Sequence, residues 1–115
     1  MRLERDPGYL DDMLTFSRFA VESIRGRTRA DLDNDAFFSL GMERLVEKIG
    51  EAARRLSPET REKHPEIAWS DIVGMRHHLA HGYDTVDNDM LWDTVTKDLP
   101  LLITALESVV PDEPS

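Results

Sequence analysis

The sequence predicts an all-α protein, a bundle of four or five helices in up-and-down order. Three observations carry that reading. Apolar residues recur at steps of three and four along most of the chain. Helix start and stop signals punctuate those runs, including Asp6-Pro7, Ser57-Pro58 and Gly82. No alternating run is long enough for a strand, and there is no internal repeat or low-complexity segment.

The first helix starts at Asp6-Pro7, with Asp6 as N-cap and Pro7 at the first helical position. Leu10, Met13, Leu14, Val21 and Ile24 then fall on one face, and Gly26 ends the helix. Residues 28–33 form a short helical turn within a polar connection. Asn34 or Asp35 caps the second helix, where Phe38, Met42, Leu45, Ile49, Ala52 and Leu56 make a heptad-like seam. Such a seam suits antiparallel packing or a dimer face. Ser57-Pro58-Glu59 opens a short third helix, which His64-Pro65 closes. A fourth helix begins with Ser70 as N-cap and runs through Ile72, Met75 and Leu79 to Gly82. Residues 84–89 read as a polar turn. The last helix carries Leu91, Val95, Leu99, Leu102, Leu106 and Val109 on one face, and Pro100 should kink or restart it. A frayed tail follows from about residue 110.

A chain of 115 residues is the size of one ordinary domain, read here as spanning residues 1–115. Its core is small enough that dimerisation would help. With 40% hydrophobic and 32% charged residues it fits a globular protein rather than a disordered one. The net charge of −9 opposes broad coating of nucleic acid, which needs many cationic contacts to phosphate. A compact site with one or two cations, or a basic partner protein, is compatible with it. Cysteine is absent, which excludes disulfides, thiolate metal sites and cysteine nucleophiles. The first residues hold no signal-peptide core and no apolar run approaches a membrane span, so a cytoplasmic location is expected.

The chemistry gathers in Arg76-His77-His78-Leu79-Ala80-His81-Gly82-Tyr83, which holds three of the four histidines. Asp84 and Asp87 lie beside it. One Arg or His at a helix end is ordinarily a cap; this many polar groups exceeds what capping needs. Cleaving RNA requires a base for the 2′-hydroxyl, an acid for the leaving oxygen, and a cation for charge building on phosphorus. Histidine fills either proton role near neutral pH, and arginine offers a charged fork to phosphate. His81 is assigned proton transfer, Arg76 transition-state stabilisation, and Tyr83 contact to phosphate or sugar. A spacing of five residues sets Arg76 and His81 about 140° apart on an ideal helix. They converge if the helix ends near Gly82 and His81 swings off its last turn, or across a two-fold axis between copies. A metal alternative exists, since His77 and His81 share a face and Asp84 or Asp87 could be a third ligand. Without a defined third ligand, no metal or cofactor is assigned. His64, before Pro65, reads as a loop residue. Gly50 and Gly74 suit close helix packing.

Arg76, four residues, His81, one residue, Tyr83 resembles the R-x4-H-x-Y signature of HEPN domains of the HepT type, with His77 where a polar residue is usual. Further stretches are similar: Ile49-Gly50-Glu51-Ala52-Ala53, Leu56-Ser57-Pro58, Lys63-His64-Pro65-Glu66-Ile67, Trp69, Ile72-Val73-Gly74-Met75, Leu91-Trp92-Asp93-Thr94-Val95 and Asp98-Leu99-Pro100. The similarity covers roughly residues 7–107.

The resemblance implies a HEPN-like helical homodimer whose paired motifs line one cleft. It implies a metal-independent endoribonuclease, the toxin of a two-gene toxin–antitoxin system. The implied partner is a minimal nucleotidyltransferase antitoxin of the MNT type. Arg76 and His81 match the family's catalytic pair, and Tyr83 a tyrosine that the partner can adenylylate. His77 is a candidate for substrate binding, and Glu51 for a supporting role at the dimer face. A rim of Arg54, Arg55 and Arg61 would offset the acidic charge if the fold places it near the cleft. The competing readings are a non-catalytic module that binds nucleotide or partner through the same residues, and a purely structural dimer that regulates a partner.

Overall fold

The computed structural model describes residues 2–79 and 86–110; the side chains of residues 2, 3, 76 and 78 lie outside the description. The described chain is helical, with no strand. In order it forms α1 (Arg2–Ser23), α2 (Arg29–Asn34), α3 (Ala36–Arg55), α4 (Pro58–Lys63), α5 (Trp69–Val73), α6 (Met75–His78), α7 (Asn88–Asp93) and α8 (Leu99–Glu107). A π-helical turn, Thr94–Asp98, joins α7 to α8. Three long rods therefore dominate: α1, α3 and the continuous α7–α8. No described helix is long and apolar enough to cross a membrane.

The seam on α3 is the centre of the bundle. Met42, Ile49, Ala52 and Leu56 are buried, while Phe38 and Leu45 are partly buried. Val46, Gly50 and Ala53 are buried as well, so the stripe is broader than a two-position seam. That breadth lets α3 meet α1 on one side and α5 and α6 on another. Asp35 caps α3, its carboxylate accepting from the Phe38 N–H at 3.1 Å. The last rod buries Leu91, Val95, Leu99, Leu102 and Leu106. Pro100 sits at the start of α8, where its missing N–H is tolerated. The preceding turn widens to i+5 spacing, the Leu99 N–H reaching the Thr94 carbonyl. The expected restart at Pro100 thus takes the form of a π-turn.

Asp6 does not cap α1. The helix begins at Arg2 and carries Pro7 inside it. Asp6 is 3% exposed and its carboxylate serves a distant element. It accepts from the Ser57 N–H at 3.1 Å and from the hydroxyls of Ser57 and Thr60, each at 2.5 Å. Ser57 in turn caps α4 through its Oγ, which accepts from the Thr60 N–H at 3.2 Å. A buried carboxylate needs such donors, and the N-terminus of α4 supplies them. Gly26 ends the turn after α1 as expected, at φ +74°.

The expected fourth helix is broken. Gly74 closes α5 at φ −88° and ψ 5°, and the chain restarts as α6. Glycine's poor helix propensity allows the break, and α3 packs against it. Ser70 is not the N-cap, since Trp69 is already helical and Ala68 precedes it without a side-chain cap. The buried Trp69 indole fixes that entry, donating from Nε1 to the His64 carbonyl at 2.9 Å and the Arg61 carbonyl at 3.0 Å. Gly82 lies outside the described residues, as does the tail from residue 111.

Candidate ribonuclease site

Three elements converge on the motif segment. α3 lies behind it: a Cβ built on Gly50 would stand 3.0 Å from the Ile72 carbonyl oxygen and 3.3 Å from that of Val73. A side chain there would press on both carbonyls, so glycine suits this close approach of α3 to the end of α5. α5 then stops at Gly74, and α6 carries Arg76 in a single turn. The Gly74 carbonyl accepts from the His77 N–H at 2.9 Å. Leu79 follows α6 in a turn and is fully buried.

On the far side of residues 80–85 the chain is tied back. The Asp87 N–H donates to the Leu79 carbonyl at 2.6 Å. Asp87 also caps α7, its Oδ1 accepting from the N–H groups of Asp89 and Met90 at 2.9 and 3.2 Å. Next to that cap is a polar cluster from α2. Arg29 donates from Nε to Asp89 at 2.6 Å and from Nη1 to Asp33 at 2.9 Å. The Asn88 amide donates to Asp33 at 3.0 Å. Its hydrogen bond and that of Arg29 hold the Asp33 carboxyl below its ordinary value. The Arg29 guanidinium is raised by Asp89 and then Asp33.

Of the candidate residues, Arg76 is placed by its backbone on α6, and His77 is exposed on the same turn. Glu51 is exposed on α3, one position after Gly50. His81, Tyr83 and Asp84 lie outside the described residues, as does the Arg76 side chain. α6 ends at His78, before the end expected at Gly82. Among the described residues no group of three His, Cys, Asp or Glu could hold a metal ion. The suggested basic rim is reduced, because Arg61 is committed elsewhere. Its Nη2 donates to the carbonyls of Leu56 at 3.0 Å and Arg54 at 3.4 Å, closing the end of α3. Arg54 and Arg55 remain exposed. His64 ends α4 and faces Glu66 across 3.6 Å, as a loop residue would. Sequence reasoning missed the roles of Arg29, Asp33 and Asn88, for which charge at i,i+4 was the one local signal.

Residues 13–109 match the family model described as Ribonuclease HepT-like. The chain belongs to the HepT-like ribonuclease family. A protein of Caldanaerobacter subterraneus subsp. tengcongensis, provisionally named an RNase, is 33% identical over 105 residues, covering 91% of this chain and 94% of its own. A Methanocaldococcus jannaschii protein with the same provisional name is 31% identical, covering 88% and 93%. A Thermococcus cleftensis protein named "Probable ribonuclease HepT" is 34% identical over 94 residues, covering 82% and 86%. No solved structure matches the chain. The HepT-like family identified from the Arg76–His81–Tyr83 motif is therefore the family the chain belongs to.

Proposed function

We propose that this HepT-like protein is a metal-independent endoribonuclease and the toxin half of a toxin–antitoxin pair. The observation that carries the reading is the HepT-like ribonuclease match over residues 13–109, together with the spacing of Arg76, His81 and Tyr83 in the sequence.

In this mechanism the 2′-hydroxyl of RNA attacks the adjacent phosphorus and the bond to the 5′-oxygen breaks. His81 moves the proton, taking it from the nucleophile or giving it to the leaving oxygen. Arg76 meets the charge on the phosphoryl oxygens. Tyr83 and His77 hold phosphate or sugar. Two copies bring paired motifs into one cleft, with Glu51 beside the dimer face. A nucleotidyltransferase of the MNT type neutralises the toxin by adenylylating Tyr83, which puts a bulky anion where RNA must lie.

Cleavage of RNA by the purified chain, with and without a chelator, tests the reaction. Arg76→Ala and His81→Ala should each lower the rate by about 100-fold or more while melting is unchanged. Intact RNA under both conditions would overturn the reading. Tight nucleotide binding without turnover would replace it with a non-catalytic binding module. Mass spectrometry of protein expressed with and without the partner gene tests regulation: a gain on Tyr83 only in the paired sample is expected.

A further inference from the structure

A groove of about 610 Å³ runs along the molecule between the segment 66–75 and the α7–α8 rod. Its floor is apolar, made by Ile67, Ile72, Met75 and Leu102. Each of these is nearly buried, at 4–8% exposure. Its rim keeps two large apolar side chains in solvent, Leu101 at 72% and Met90 at 44%. Three carboxylates stand around it, Glu66 and Asp71 on one wall and Asp98 on the other, and no basic side chain lines it among the described residues.

We infer that this groove docks an amphipathic segment of another protein, with an apolar stripe flanked by Lys or Arg. The apolar floor and rim supply the burial that drives helix-in-groove recognition. The carboxylates select a cationic flank, and they do so on a chain of net charge −9. They also repel a phosphate backbone, which makes the groove a protein site rather than an RNA track. A second copy seated groove to groove would set these carboxylates against their like, so the charge of the lining favours a basic partner here. Ile72 and Met75 form the wall immediately before Arg76, so the occupant would rest against the element that carries the motif. The inference does not depend on RNA cleavage, because its readout is binding.

The test uses the full chain and two synthetic peptides about four turns long. One places leucines on a single stripe with lysines along both flanks; the other has the same composition in scrambled order. Titration calorimetry should show the ordered peptide binding about tenfold tighter or more. Amide chemical-shift changes in the labelled chain should concentrate at residues 66–75 and 90–105. Leu101→Lys should weaken the ordered peptide about tenfold, as loss of a central apolar contact does. Phe37→Lys adds the same charge at a remote position that is 91% exposed and should change affinity by less than about twofold. Both sites are exposed, and circular dichroism checks that the variants fold. Equal binding of the two peptides, or equal weakening by the two lysines, would reduce the effect to net charge and overturn the inference. A shift from dimer to monomer in Leu101→Lys would assign the groove to a second copy and overturn it as well.

Discussion

Gly50 and Gly41 occupy the same helix and should respond oppositely to one methyl group. At Gly41 an added Cβ meets nothing within 4 Å, so Gly41→Ala should stabilise the protein by about 1 kcal/mol through helix propensity alone. At Gly50 the methyl would press on two backbone carbonyls at the end of α5. Overpacking of about 1–3 kcal/mol outweighs the same propensity gain, so Gly50→Ala should be destabilising. Urea denaturation of the pair checks the sign. Asp6 poses the complementary case of a buried acceptor. Asp6→Ala strands the N–H and hydroxyl of Ser57 and the hydroxyl of Thr60. The cost should be about 3 kcal/mol, from hydrogen bonds to a charged group and unsatisfied donors. Asp6→Asn keeps one accepting oxygen and should lose less. Midpoints of both Asp6 variants equal to that of the unaltered chain would mean that the carboxylate is not what joins α1 to α4.

At the scale of elements, a polar cluster joins α2 to α7 beside the Asp87 cap. Arg29→Ala removes the donor shared by Asp33 and Asp89, and amide exchange at Asp87 should quicken while exchange in α1 does not change. Acid should act similarly. Asp33 is held below its ordinary value of 3.8 by Asn88 and then Arg29. Asp35 is lowered from the same value by the Phe38 N–H and then Arg27. A lowered carboxyl contributes stability above its unfolded value that is lost as pH falls through the folded one. Exchange in α2 and at the start of α3 should therefore rise below about pH 4, and Asp33→Asn should flatten the α2 response. The helices themselves were legible in the sequence because their apolar periodicity is local. Asp35, Ser57, Gly26 and Pro100 all mark boundaries near where they were read. Asp6 misled because its capping preference is satisfied by a helix 51 residues away, which no local pattern reports. Gly74 was read as a packing residue, yet it divides a helix; at the site, Arg76 could be named from its motif but the tie from Asp87 to Leu79 could not.

For the whole molecule, net charge would govern the approach of the proposed RNA substrate. A net −9 on a small chain repels a polyanion at long range. Among the described cations, Arg61 is spent on carbonyls at the end of α3 and Arg29 on two aspartates. Repulsion and phosphate contact have opposite salt dependence. Each cation–phosphate contact loses affinity as salt rises, through counterion release. Long-range repulsion fades instead, as the screening length contracts toward ~8 Å at ~0.15 M salt. With 23 acidic residues against 14 basic ones, screening should win at low ionic strength. If the chain cuts RNA as proposed, kcat/KM on a short RNA should rise from low salt toward ~0.15 M and fall only beyond it. Nucleases that track the phosphate backbone with basic surfaces should fall throughout. A steady decline from the lowest salt would mean that a local positive field at the motif governs approach despite the acidic surface. Neutralising Asp71 and Asp98, on opposite walls of the groove, should raise the low-salt rate more than the rate at ~0.15 M, because unscreened repulsion is what those carboxylates add.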